Sequence, residues 1–369
     1  MSKLVYILGA GASFGERFER MALESNIGFG MGGDLEKLLY QKAANTPLRG
    51  CIKRGMPVVN ELEDIIARLL DGQNNTVLDS NQFSTFLDKC KPYLDWLREC
   101  CHNYPTIDTY AKQLFVVEGV NGETYVKLKK ALSLLFSLLQ SHQTRDLRYD
   151  AFLASIIGSD GILSKDISVL SWNYDCQFEF AYSNFMREKE KNLNNIWRKL
   201  HAISKTYGPE VENSLNIRNE FTFTKINGSA LIYVAQNGFL DFFFEPRNRE
   251  CLPDAFPNYF MGDNFYLKNC LSFAWEDNSL PFLKQRIQKV SEDTSVVVVI
   301  GYSFPYVNRE IDRFIFEQMP NLSKVYVQDN NADDVIDSVK SVLSDYQHAN
   351  HVEIEPVNNV RQFYIPREL

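Results

Sequence analysis

The sequence predicts an α/β fold built on a mostly parallel sheet, with a large helical insertion between the first and second strands. Three observations carry this prediction. The short apolar runs Val5-Tyr6-Ile7-Leu8 and Val296-Val297-Val298-Val299-Ile300 have the unbroken character of strands covered on both faces. Strand-like and helix-like segments alternate through the last third of the chain, as a parallel sheet with crossover helices requires. Several apolar runs also end abruptly in polar or glycine-rich turns, and the carboxyl ends of parallel strands are where such sheets hold ligands.

The first strand, 3–8, empties into Gly9-Ala10-Gly11-Ala12-Ser13. Gly9 and Gly11 permit positive φ and let backbone N–H groups approach a ligand closely. A helix starting near Phe14 would aim its free N–H groups and positive dipole end at a pyrophosphate. A tight strand-to-helix turn with no ligand accounts for an isolated Gly-x-Gly equally well. The full pattern, Gly9-x-Gly11-x-x-x-Gly15, is one residue longer than the dinucleotide fingerprint. That fingerprint also needs an acidic residue on a second strand about 20 residues later, and the sequence there is helical and loop-like. A hydride-transfer domain is therefore disfavoured.

Residues 16–26 are helix-compatible, and the glycine-rich stretch 28–33 is placed either to fold over a ligand or to connect passively. Asp34 caps a helix with Leu35, Leu38 and Leu39 at helical spacing, and Asn60 opens another with Leu62, Ile65, Ile66, Leu69 and Leu70 on one face. From 82 to 158 the signals are nearly all helical, with 127–139 and 149–157 the clearest segments. The expected organisation is thus a Rossmann-like domain formed by 1–59 and 159–369, interrupted by a helical subdomain over 60–158.

Strand signals resume at 167–172, directly before Asn173-Tyr174-Asp175. The mixed charges of 187–199 read as a solvated helix. A strand over 221–226 ends in Asn227-Gly228-Ser229, and 231–234 and 239–244 read as further short strands. The strand 295–300 leads into Gly301-Tyr302-Ser303-Phe304-Pro305 and a helix over 308–319. Strand 324–328 then ends in Asp329-Asn330-Asn331, followed by a helix over 333–343 and a strand over 352–355.

The balance of 39 basic against 47 acidic residues gives a net charge of −8, which argues against direct nucleic-acid binding through a broad basic surface. No apolar run approaches the ~18 residues of a membrane span and no signal peptide is recognisable, so a soluble, cytoplasmic protein is expected. The seven cysteines, Cys51, Cys90, Cys100, Cys101, Cys176, Cys251 and Cys270, include no C-x-x-C pair. They encode no zinc ribbon and read as reduced, buried thiols.

Taken in order, Gly9-Ala10-Gly11-Ala12-Ser13, the Asp34 helix start, Asn173-Tyr174-Asp175, Lys225-Ile226-Asn227-Gly228-Ser229 and Gly301-Tyr302-Ser303-Phe304-Pro305 span most of the chain. In this order they resemble the sirtuin-like family, specifically its bacterial branch that cleaves NAD in defence against phage. The resemblance implies a Rossmann-like sheet that takes NAD as substrate and needs no metal. It implies that Gly9, Ala10, Gly11, Ala12 and Ser13 hold the pyrophosphate and that Gly301 and Ser303 lie at the adenine-side ribose. It further implies Asp329 or Asn330 at the adenosine ribose and Asn173 beside the nicotinamide ribose. Asp175 either stabilises positive charge developing on that ribose or holds the turn after the strand. A homo-oligomer and a co-encoded defence partner that restrains or triggers the activity also follow from the resemblance.

One position departs from the family: Asn227 stands where a catalytic histidine precedes Gly-Ser. Asparagine hydrogen-bonds but takes no proton near neutral pH, and a lost general base costs ~10²–10⁴-fold in rate. The site is then slow or silent, or carries a His→Asn substitution that traps ligand, or draws its base from elsewhere. His201, the nearest histidine, sits in a helical stretch without the following Gly-Ser. Three functions remain open: an NAD glycohydrolase, a catalytically degenerate NAD or nucleotide sensor, and a protein deacylase disfavoured by the missing zinc cysteines.

Overall fold

A computed structural model describes residues 3–13, isolated positions between 92 and 104, and 107–142, 146–204, 220–234, 240–242, 268–276, 280–345, 347 and 351–369. The expected helix near Phe14, the glycine-rich loop at 28–33 and the helices opened by Asp34 and Asn60 lie outside these residues. The chain divides into two compact units, one of Met1–Ser13, Asp146–Phe242 and Tyr266–Leu369, the other of Phe14–Arg145 and Phe243–Phe265. The second unit contributes helices α1 (Ile107–Glu118) and α2 (Glu123–His142). A turn at Gly119 separates them, and the Glu118 carboxylate accepts from the Thr124 N–H at 3.0 Å, satisfying one of the free donors that open α2. The sequence predicts 149–157 as part of the helical insertion, whereas the helix α3 (Leu147–Ile156) belongs to the first unit.

The first unit is a Rossmann-like α/β domain. Its strands are β1 (Lys3–Leu8), β2 (Ile167–Ser171), β3 (Ile203–Ser204), β4 (Thr222–Lys225), β8 (Thr294–Ile300), β9 (Lys324–Gln328) and β10 (Glu353–Val357), and they form one seven-stranded sheet in the order β10-β9-β8-β1-β2-β4-β3. Every pairing in it is parallel. β1 lies at the centre, with Leu8 level with both Ser171 and Ile300. Its apolar sequence follows from that position, since neither face nor either edge meets solvent. Pro356, which cannot donate to a ladder, sits on the edge strand β10.

Helices cover both faces. Val5, Ile7, Val297, Val299, Val325 and Val327 pack against α6 (Leu280–Ser291), α7 (Arg309–Glu317) and α8 (Ala332–Lys340) through Ile287, Ile315 and Val339. On the other face Tyr6 meets Phe152 of α3 edge to face at 4.8 Å. There Phe178 of α4 (Gln177–Ser183) stacks on Phe223 of β4 at 4.6 Å. The connection from β1 returns through α3 on this face, whereas β8 leads into α7 on the opposite one. The strand order reverses between β1 and β8, and that is the topological switch point where doubly wound sheets bind ligands.

Two expectations need correction. The stretch 187–199 is not one helix: a 3₁₀ turn at Glu188–Glu190 precedes α5 (Leu193–Lys199), which Asn192 caps by accepting from the Asn195 N–H at 2.9 Å. Gly228 and Ser229 do not close a strand of the parallel sheet but open β5 (Gly228–Val234). This strand pairs antiparallel with β6 (Leu240–Phe242) and β7 (Lys268–Leu271) in a separate three-stranded sheet. Strand β7 and helix α6 carry no clear sequence signal. No helix among the described residues is long and apolar enough to cross a membrane.

Candidate functional site

At the switch point the β1 and β8 turns are interlocked, backbone against backbone. The Gly9 N–H donates to Ile300 O and the Gly11 N–H to Gly301 O, both at 3.0 Å. Gly301 has φ +59°, and a Cβ there would lie 2.4 Å from the Gly11 Cα. The glycines are thus required by the approach of two turns, whatever ligand lies above them. The Ala12 N–H is also spent, on Gly9 O at 2.9 Å. Ala10, the exposed residue of the turn, is the member whose N–H meets no acceptor among the described residues.

Beside this turn three side chains form one hydrogen-bonded group. The Ser13 hydroxyl and the Tyr149 hydroxyl lie 3.0 Å apart, and the Asn173 Nδ2 donates to Ser13 Oγ at 3.2 Å and to Tyr149 Oη at 3.5 Å. Ser13 ends the β1 turn, Asn173 follows β2, and Tyr149 reaches both from the first turn of α3. Burial, reinforced by the Asp175 charge, pushes the Tyr149 phenol well up, so it stays protonated. Asn173 is nearly buried, its own N–H is held by Ser171 Oγ at 3.2 Å, and its Oδ1 has no partner among the described residues. Gln177 ties the group to its surroundings, accepting from the Asp146 N–H at 2.7 Å and donating to Ser13 O at 3.4 Å.

Asp175 does not join this group. Its Oδ1 accepts from the Gln177 N–H at 3.0 Å, an Asx turn that opens α4, and its carbonyl accepts from Lys225 Nζ. Lys225 and Glu179 form an ion pair at 3.2 Å whose side chains are 1% and 0% exposed. Burial pushes the Lys225 ammonium down, but Glu179, Cys176 and Asp175 together hold it above its ordinary value. Burial raises the Glu179 carboxyl in spite of Lys225. The Cys176 thiol, 3.1 Å from Ser229 Oγ, is pushed well up by burial and by Glu179 and is no nucleophile.

Asn227 lies with the residues of the opposite sheet face. Its Nδ2 donates to Trp172 O at 3.3 Å, and its Oδ1 accepts from the Ala274 N–H at 3.0 Å. Both ends of the amide therefore bracket two loops. Gly228, at φ +66°, leaves no space for a Cβ beside Cys270 O, so a glycine at 228 is demanded by the passage of β4 into β5. Trp172 stacks on Tyr302 at 5.2 Å and 8° across the end of β1, and the Tyr302 hydroxyl is held by both Asp312 oxygens at 3.0 and 3.1 Å. Ser303 is exposed just beyond that anchor. Asp329 and Asn330 follow β9, two strands from β1. Burial raises the Asp329 carboxyl, and its Oδ1 accepts from the Asn331 N–H at 2.9 Å. His201, at φ +44° after α5, places Nδ1 2.9 Å from Phe221 O.

Sequence reasoning missed Arg148 and Tyr149. The spacing of Tyr149, Phe152, Leu153 and Ile156 reads as a buried helix face, and nothing in it distinguishes the residue whose hydroxyl reaches the β1 turn. Among the described residues no group of His, Cys, Asp and Glu is arranged to hold a metal, and Cys100, Cys176 and Cys270 are buried.

Fold and site together define a doubly wound α/β protein with a polar ledge at the switch point of its sheet. No family model matches the chain, and no curated protein matches it.

Proposed function

We propose that the ledge binds NAD and that the protein hydrolyses the nicotinamide N-glycosidic bond, releasing nicotinamide and ADP-ribose. The observation that carries this reading is the joining of Ser13, Tyr149 and Asn173 at the switch point. Cleavage of this bond develops positive charge on the ribose, so the reaction depends on positioning and preorganised dipoles more than on a strong nucleophile. The Asn173 Oδ1 supplies such a dipole and can orient the ribose hydroxyls or the attacking water. The Ala10 N–H is a donor for the pyrophosphate, and Ser303 and Asp329 are the candidates for the adenosine half. The ordered resemblance to sirtuin-like defence enzymes supports the same substrate. It adds the proposal that a homo-oligomer or a co-encoded partner controls the activity, because constitutive NAD loss would be toxic.

A second reading is favoured by Asn227, whose amide is committed to Trp172 O and the Ala274 N–H and which cannot act as a base. On that reading the protein binds NAD as a sensor without cleaving it. Purified protein incubated with NAD, with and without the products of neighbouring genes, separates the two by nicotinamide release and by calorimetric binding. Release supports the hydrolase, and binding without release supports the sensor. Absence of binding in every condition refutes both.

A further inference from the structure

We propose that Arg148 and Tyr149, neighbours in the first turn of α3, are the positioning residues of the switch-point ledge: Arg148 sets the β1 turn, and Tyr149 sets the Ser13 hydroxyl and the Asn173 amide. The proposal rests on the reading of the ledge as an NAD site. Arg148 makes an unusual set of contacts for one guanidinium. Its Nη2 donates to Gly11 O at 3.1 Å and Ala12 O at 3.2 Å, and its Nη1 to Val360 O at 2.9 Å. Asp146 neutralises it through Nε at 3.0 Å to both carboxylate oxygens and through Nη2 at 2.6 Å. The guanidinium also lies over the Phe363 ring at 5.1 Å.

These bonds tie three segments together: the β1 turn, the start of α3 and the C-terminal stretch after β10. That stretch is fixed from its other side by Gln328, at the end of β9, whose Nε2 donates to Asn359 O and Gln362 O and whose Oε1 accepts from the Tyr364 N–H. A planar fork holds its several N–H donors in fixed directions, which the rotating ammonium of a lysine does not reproduce. The Arg148 contacts hold the Gly11 and Ala12 carbonyls, and with them the turn whose outer N–H belongs to Ala10.

Tyr149 acts one residue on. Its ring is wedged edge-on against Phe178 at 6.0 Å and Phe363 at 5.0 Å. The hydroxyl is thereby delivered to one place, between Ser13 Oγ and Asn173 Nδ2. With the NH₂ end of the Asn173 amide engaged there, its Oδ1 is left outside this group as an acceptor with no partner among the described residues. Neither residue needs to touch NAD. Each fixes a group that does.

The test uses the full chain. Tyr149→Phe keeps the ring contacts and removes only the hydroxyl. The expected result is a fall of about 10–100-fold in kcat for nicotinamide release, with KM changed less than about threefold. In an Asn173→Ala background the same change should cost nothing further, because the two act as one unit. Arg148→Lys is expected to raise KM about tenfold with a smaller effect on kcat. Independently of turnover, the Asn173 side-chain amide protons should exchange with solvent about tenfold faster in Tyr149→Phe than in the parent protein. If the parent protein turns over no NAD even with the products of neighbouring genes, the hydrolase reading falls, amide exchange still decides the role of Tyr149, and the calorimetric Kd for NAD takes the place of KM for Arg148→Lys. Unchanged exchange, or additive effects of Tyr149→Phe and Asn173→Ala on kcat, overturns the proposal for Tyr149. Unchanged KM in Arg148→Lys overturns it for Arg148.

Discussion

Replacing Gly301 by alanine should damage the protein far more than its one added methyl suggests, and Gly161 supplies the internal control. Both residues have positive φ, +59° and +77°, but a Cβ at Gly161 meets nothing within 4 Å. Gly161→Ala therefore carries only the cost of a left-handed backbone, roughly 1 kcal/mol. Gly301→Ala carries the same cost and also drives a methyl to 2.4 Å from Gly11 Cα, 2.5 Å from Gly11 C and 2.6 Å from Ala12 N. These are backbone atoms and cannot swing aside, so the two turns must separate. Separation breaks the Gly9-to-Ile300 and Gly11-to-Gly301 hydrogen bonds, worth about 1 kcal/mol each. The expected losses are about 3 kcal/mol for Gly301→Ala against about 1 kcal/mol for Gly161→Ala. Urea unfolding followed by hydrogen exchange at β1 and β8 amides measures both on the same strands. A Gly301→Ala loss no larger than that of Gly161→Ala would refute the interlock and return the Gly9–Ser13 glycines to a purely ligand-driven explanation.

The buried ion pair gives a second prediction: Lys225→Met strands the Glu179 carboxylate and should cost about 3–5 kcal/mol in denaturant unfolding, while Lys225→Met combined with Glu179→Leu should recover most of that loss. A single variant as stable as the parent, or a double variant no better than the single, contradicts this account of the pair. The third concerns pH. Burial lifts the Asp312 carboxyl well above its ordinary value of 3.8, against the opposing Tyr302 hydrogen bond and Arg309 charge. A carboxyl raised in the native state binds its proton more tightly there than in the unfolded chain. Its contribution is therefore whole below pH 3.8 and is lost as pH climbs through the folded value, at up to ~1.4 kcal/mol per pH unit. Asp312→Asn should flatten the decline, leaving the part due to Glu179 and Asp329, which are shifted in the same direction. Parallel stability–pH curves for the variant and the parent protein would exclude Asp312 as a source of the slope.

What the sequence made legible was the sheet, because its signals are local. The runs 5–8 and 296–300 are apolar without alternation, which fits only strands buried on both faces, and the structure places them side by side at the centre. The switch point was legible too, as turns of small or polar residues closing those runs. What was not legible depends on long-range geometry. Tyr149 and Arg148 reach the β1 turn across more than 130 positions of sequence, and their helix carries an ordinary apolar spacing. Strand β3 has two residues at the sheet edge and takes its place only by pairing with β4. Charge pairing at Lys225 and Glu179 was hidden for a similar reason: a lysine closing the strand Thr222–Lys225 reads as an exposed position unless its partner on α4, more than 40 positions earlier, is known.

The same distinction bears on Asn227. Read along the chain, Lys225-Ile226-Asn227-Gly228-Ser229 is a catalytic signature with one wrong residue. In the fold, each member has a structural duty: Lys225 neutralises Glu179, Ile226 packs in the core, Asn227 joins Trp172 O to the Ala274 N–H, Gly228 clears Cys270 O, and Ser229 meets Cys176. An imidazole at 227 could not make both of those bonds with the same reach, so the asparagine is integral to this arrangement rather than a defect inserted into it. Any chemistry at this sheet edge must then be run by the groups on the other face, Ser13, Tyr149 and Asn173. They offer positioning and a carbonyl dipole but no base. That set suits a bond whose cleavage is dissociative and asks little of a nucleophile, and it would not serve a reaction that must remove a proton in its slow step.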